Sequence, residues 1–306
     1  MDSRDLVQPI AYQFLMADGV RLAAERYGAP EAPPLLFAHG FGQTGQAWRA
    51  SAARLAAAGR HCITFDARGH GRSGRPGDGE YQLEAFADDL TAIARSCASA
   101  PVLVGASMGG LLGLLIEGER APLFSALVLV DVTPRWEPAG VARILAFMQA
   151  HPDGFADLDA AAAAIAAYLP QRSERRPSER LRDLLIAGAD GRLRWHWDPR
   201  MLGPVAGEAE RYQPRLFAAA RRIRVPTLLV SGGASDVVSA ETIGEFLDLV
   251  PHARHVSVAD ATHMVVGDRN DRFTRHVEEF LNTLPSMPPP EPIRPADPPS
   301  SRPVRG

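Results

Sequence analysis

Cysteine is scarce in this 306-residue chain, which has only Cys62 and Cys97. Two thiols cannot build the bridge framework of a small secreted domain, and both fall in apolar surroundings, so they read as reduced packing residues. Long apolar runs are missing too, and none reaches the length that spans a bilayer. Residues 1–5 are charged and carry no apolar h-region, so no secretory signal is expected. Neither charge sign dominates: Lys and Arg total 33 against 36 for Asp and Glu, a net charge of −3. That balance removes the electrostatic drive toward nucleic acid or anionic lipid. The expectation is a soluble, cytoplasmic protein whose partner is a small molecule, with no nucleic acid, no membrane and no set oligomeric state.

What is present is ordinary globular material, 46% hydrophobic and 23% charged, enough for a large buried core. Runs over 10–16 and 20–27 flank Ala17-Asp18-Gly19 and read as a hairpin. The runs 35–38, 62–65, 102–104 and 126–130 are short, almost wholly apolar and bounded by Gly, Pro or polar residues. Strands covered on both faces look like this. Helix-like segments over 47–58, 83–98 and 108–119 separate them, and strand–helix alternation implies a parallel sheet.

The alternation stops after Val130. Residues 133–222 are rich in Ala, Arg and Leu, with helical stretches over 141–150, 158–168 and 179–187 and no clear strand. The strand pattern returns over 226–231 and 254–258, and 272–283 reads as a closing helix. The expected organisation is therefore a first core part (1–132), a helical cap insertion (133–222), a second core part (223–284) and a disordered proline-rich tail (285–306). In the insertion, Arg172, Arg175, Arg176, Arg180 and Arg182 alternate with Glu174, Glu179 and Asp183, the pattern of a solvated helix face.

Gly105-Ala106-Ser107-Met108-Gly109 follows one of these strands and opens an apolar helix. A serine on a sharp strand-to-helix turn presents its hydroxyl at the sheet edge, and flanking glycines remove side chains that would collide there. The helix that follows aims free N–H groups at the reacting centre. A Gly-rich turn holding a structural serine is the plain alternative, and the strand-before, helix-after context favours the nucleophile. Attack on an acyl carbon leaves a negative oxygen that needs placed donors. The N–H of Met108, after the serine, supplies one, and that of Phe41, in His39-Gly40-Phe41-Gly42, supplies the other.

A serine needs a base. Of nine histidines, His263 sits just beyond the strand over 254–258, at the sheet edge that bears Ser107. His70, His196, His252, His255 and His276 read as surface or packing residues. Asp236 follows the strand over 226–231 and falls between Ser107 and His263 in the chain, the order serine, acid, histidine. Gly69-His70-Gly71-Arg72-Ser73-Gly74 spells a dinucleotide fingerprint, but Arg75-Pro76-Gly77-Asp78-Gly79 follows where that fingerprint needs a helix, so no cofactor is inferred from it.

Taken together, His39-Gly40-Phe41-Gly42, Asp66-Ala67-Arg68-Gly69-His70-Gly71-Arg72-Ser73, Gly105-Ala106-Ser107-Met108-Gly109-Gly110, Asp236 and His263 resemble the α/β-hydrolase superfamily over roughly residues 10–284. Within it, the chain is similar to capped bacterial serine esterases of the epoxide-hydrolase-like or haloperoxidase-like kind. The resemblance implies an α/β-hydrolase fold: a mostly parallel central sheet flanked by helices, with a helical cap inserted after the sixth strand. It implies hydrolysis of an ester, thioester, lactone or related acyl bond through an acyl-enzyme on Ser107, with neither cofactor nor metal. The Asp66–Ser73 stretch is a family signature with a structural role. Some relatives take their acid from the strand after the nucleophile helix, which makes Asp131 the rival to Asp236. Ser107 stands where epoxide hydrolases and haloalkane dehalogenases of this fold carry aspartate, so an alkyl-enzyme ester is not available. A perhydrolase on the same triad and a receptor without turnover are the alternatives. Trp195-His196-Trp197-Asp198, with Phe41 and Met264, either lines an acyl pocket or packs cap against body.

Overall fold

Apolar residues at alternating positions in the central strands explain why one sheet builds two cores. The computed structural model describes residues 7–79, 81–120, 122–169, 178–268 and 270–285. In chain order the first elements are β1 (Ile10–Leu15), β2 (Arg21–Tyr27), β3 (Pro34–Ala38), α1 (Arg49–Ala57), β4 (His61–Phe65) and α2 (Leu83–Arg95). They are followed by β5 (Val102–Ala106), α3 (Met108–Glu119) and β6 (Ala126–Val130). Beyond β6 come α4 (Pro138–Gln149), α5 (Leu158–Tyr168), β7 (Leu185–Ala187), β8 (Leu193–Trp195) and α6 (Leu202–Ala220). The chain then returns through β9 (Thr227–Gly232), α7 (Ala240–Leu249), β10 (Arg254–Val258), α8 (Val265–Asp268) and α9 (Asn270–Leu281).

Eight strands form the main sheet in the order β1-β2-β4-β3-β5-β6-β9-β10. β1, β2 and β4 pair antiparallel, and every pairing from β4 through β10 is parallel. Successive side chains point to opposite faces. Leu36, Leu103, Leu127 and Leu129 therefore pack with α2, α3 and α6 on one side. Phe37, Val104, Val128 and Val230 pack with α1 and α9 on the other. β3, β5 and β6 lie side by side near the middle, so the loops at their C-terminal ends meet at one sheet edge.

The segment between β6 and β9 departs from expectation in one place. A helix was predicted over 179–187; instead a 3-10 turn (Ser178–Leu184) runs into β7, which pairs antiparallel with β8. The turn residues explain the switch. Gly188-Ala189-Asp190-Gly191 closes a hairpin, with Gly191 at φ 78° and its N–H donating to the Gly188 carbonyl. Helix α6 approaches α3 closely because Gly118 has no side chain; a Cβ there would lie 2.3 Å from the Ala219 carbonyl oxygen.

Arg182 and Asp183 are exposed. The side chains of the other charged residues in that run, residues 1–5 and the tail past Pro285 lie outside the described residues. Among the described residues, no helix is long and apolar enough to cross a membrane.

Candidate active site

Ser107 joins β5 to α3 in a conformation an L-residue adopts only under constraint, φ 45° and ψ −115°. The constraint is visible in its neighbours. A Cβ on Gly105 would lie 2.7 Å from the Gly109 carbonyl, and one on Gly109 would lie 2.4 Å from the Ala38 carbonyl oxygen. Both glycines are needed for the strand, the helix and the β3 loop to approach so closely. The Ser107 N–H donates to the Val130 carbonyl at 3.1 Å, which ties the elbow to the end of β6. A Cβ on Gly40 would stand 3.2 Å from that of Ser107, so the loop after β3 runs directly over the serine.

His263 is held by Asp131: its Nδ1 lies 2.7 Å from Asp131 Oδ2. This corrects the acid assignment drawn from chain order. Asp236 does not meet His263; its carboxylate forms an ion pair with Arg143 of α4, 2.7 Å from Nε. The reason is the course of the loop after β9. It folds back on itself, with the Ser235 N–H on the Gly232 carbonyl, and carries Asp236 out to α4. Asp131, by contrast, follows β6 immediately, at φ 50°, and is completely buried. Its carboxylate accepts two further hydrogen bonds, from the Gly232 N–H (2.7 Å) and the Ser235 hydroxyl (2.6 Å). With Nδ1 donating to Asp131, Nε2 is the ring nitrogen left to act as acceptor. No hydrogen bond joins the Ser107 hydroxyl to the ring among the described residues; such bonds often tighten only in the substrate complex.

Phe41 and Met108 flank Ser107, and among the described residues the N–H of neither finds a protein acceptor. The loop carrying Phe41 rests on buried histidines. His39 Nδ1 donates to the Gly40 carbonyl (2.8 Å), while its Nε2 accepts from the Ala67 N–H (2.8 Å). His70 Nε2 accepts from the Gly42 N–H at 3.1 Å, and His196 Nδ1 accepts from the Gly71 N–H at 2.9 Å. Each ring must be neutral to keep its acceptor nitrogen. Burial drives all three below the ordinary histidine range, His70 strongly and His196 to about 3, with neighbouring rings adding to the effect on His70 and His196. His70 and His196 were read from the sequence as ordinary surface or packing residues; nothing in their neighbours announces the loops they hold.

The Asp66–Ser73 stretch is structural. Asp66 accepts from the N–H groups of Gly45 (2.8 Å) and Arg72 (2.9 Å). Buried Arg68 makes a two-pronged pair with Asp89, both contacts 2.7 Å.

A cavity of about 170 Å3 borders Ser107, Phe41, Met108 and Asp131, and the rest of its wall is mostly apolar. Trp195 and Trp197 do not line it. They stack on each other, centroids 4.9 Å apart, between the inserted segment and the body. Met264 instead accepts from Gln43 through its sulfur.

Comparison with known proteins agrees with this architecture. The model of the alpha/beta hydrolase family matches residues 35–276. A 3-hydroxybutyrate-oligomer hydrolase from Cupriavidus necator is 30% identical over 263 residues, covering 79% of this chain and 87% of that protein. An esterase from Mycobacterium tuberculosis is 29% identical over 278 residues, covering 86% of this chain and 87% of its own. Among solved structures, E-2-(acetamidomethylene)succinate hydrolase is similar with a TM-score of 0.77 and 25% identity, over 90% of this chain and 100% of that one. The matched stretch takes in both the elbow and the His263 loop, and the chain is an enzyme of the α/β-hydrolase family.

Proposed function

We propose that this hydrolase cleaves a carboxylic ester or a related acyl bond (thioester, lactone or amide) through an acyl-enzyme on Ser107. The observation that supports the reading best is the 2.7 Å bond between His263 Nδ1 and Asp131 Oδ2 at the sheet edge that carries the strained Ser107. On this reading Ser107 Oγ attacks the acyl carbon while His263 Nε2 takes its proton. Asp131 fixes the ring tautomer and stabilises the imidazolium. The N–H groups of Phe41 and Met108 receive the developing oxyanion. His263 then protonates the leaving oxygen, sulfur or nitrogen, and water activated by the same ring releases the acid. Residues 133–222 serve as a cap over this edge, and the partner is a small acyl compound.

The similar protein from Cupriavidus necator is named for hydrolysis of 3-hydroxybutyrate oligomers, which are esters, and this is in keeping with the reading. The test is turnover of p-nitrophenyl butyrate by the parent and by Ser107→Ala. A fall of at least about four orders of magnitude in kcat is expected. Equal turnover in both would end the proposal.

A further inference from the structure

We infer that the cavity beside Ser107 receives the acyl chain of the substrate rather than its leaving group, and that this chain is uncharged and about six to eight carbons long. The inference rests on the serine-hydrolase reading above and adds the substrate class to it.

Orientation comes first. The base must reach the leaving atom to protonate it, so the leaving group lies on the His263 side of the reacting carbon. The cavity is bordered by Ser107 and by the two oxyanion donors, Phe41 and Met108, but His263 is not part of its wall. A group filling it therefore extends from the far side of the carbonyl, which is the acyl side.

Charge comes second. Helices α3, α4 and α6 supply apolar lining such as Leu115, Ile144 and Leu216, and among the described residues neither Arg nor His lines the cavity. Two of the polar groups on the wall are occupied by local partners. The Thr133 hydroxyl donates to the Arg135 carbonyl (2.6 Å), and the Tyr81 hydroxyl donates to Asp198 (2.8 Å). Asp131, the one carboxylate among the described lining residues, would repel an anionic chain. A carboxylate carried into this space would lose its water and meet no cation among the described lining residues.

Size comes third. An apolar cavity of about 150 Å3 holds a benzene-sized molecule, and this one measures about 170 Å3. Acetate would leave most of it unfilled, and a dodecanoyl chain would exceed it.

The test is kcat/KM of the parent on p-nitrophenyl acetate, butyrate, hexanoate, octanoate and dodecanoate, beside methyl, butyl and hexyl acetate and the p-nitrophenyl monoester of adipic acid. Each methylene buried can raise kcat/KM by up to about fourfold. Hexanoate should exceed acetate by about tenfold or more, dodecanoate should fall below octanoate, and the adipate monoester should lie at least about tenfold below hexanoate. Lengthening the alcohol should have little effect. Ile144→Trp should move the optimum toward butyrate. A flat acyl series, an adipate monoester as good as hexanoate, or a preference that follows the alcohol would overturn the inference while Ser107-dependent turnover left the hydrolase reading standing. Absence of turnover on every ester, together with no labelling by a fluorophosphonate, would remove the reading and the inference with it.

Discussion

His263 Nδ1 and Asp131 Oδ2 stand 2.7 Å apart, joining the loop after β10 to the residue immediately after strand β6. Asp131→Asn keeps the shape but loses the acceptor that fixes the imidazole tautomer. We expect kcat to drop by about four orders of magnitude, as tautomer-disrupting changes do. Asp236→Asn should change kcat by only a few-fold, because it weakens a half-exposed ion pair with Arg143. Steady-state kinetics on p-nitrophenyl butyrate separate the two.

The elbow can be tested by stability alone. Gly109→Ala would place a Cβ 2.4 Å from the Ala38 carbonyl oxygen, where backbone must move. Overpacking of this kind costs about 1–3 kcal/mol or more, so Tm should fall by about 2–5 °C or more. At Gly77 a Cβ would meet nothing within 4 Å, and Gly77→Ala should leave Tm almost unchanged. Similar Tm values for both variants would contradict the packing described for the elbow.

On the proposed reading, in which Phe41 is an oxyanion donor, His70 is a positioning residue: its Nε2 accepts the Gly42 N–H and so shapes the loop that carries Phe41. His70→Leu should lower kcat by about tenfold to a hundredfold, less than outright loss of an oxyanion donor. KM should change little. His70→Gln places an amide oxygen near the same N–H and should recover part of the loss. Equal loss in both variants would point to a packing role only.

Acid should weaken the fold through the same cluster. The unfolded chain takes up a proton on each histidine as pH falls through about 6.5, whereas burial keeps His196 neutral down to about 3. The folded state thus binds fewer protons in that window and loses stability as pH falls. The slope is about 1.4 kcal/mol per pH unit for each such histidine. His39 and His70 are depressed in the same direction. His196→Asn keeps an acceptor for the Gly71 N–H and should flatten the dependence by up to one proton. Urea midpoints at pH 7.5 and 5.5 measure it, and an unchanged slope would count against the neutral buried ring.

Much of the sheet was legible because its central strands are short apolar runs with turn residues at both ends. The element bounded by Ala126 and Val130 was read without error, and the glycines around Ser107 announced the tight strand-to-helix turn it occupies. The hairpin of β7 and β8 was not legible as strand: Leu185-Ile186-Ala187 continues a charged, helix-like run, and pairing across the turn at Gly191 decided its state. The partner of His263 was misread for a related reason. Chain order ranks Asp236 and Asp131 alike as residues after strands, but only the path of the loop after β9 shows which one stays at the sheet edge. The supporting histidines were hidden because their roles lie in backbone N–H groups far away in sequence, as with His196 and Gly71.

The central claim is that Ser107 is the nucleophile, and intact-protein mass spectrometry after exposure to a fluorophosphonate tests it most directly. The account predicts a single adduct on the parent, mapped by peptide analysis to Ser107, and none on Ser107→Ala. An adduct that persists in the variant, or one that maps to another residue, would contradict it.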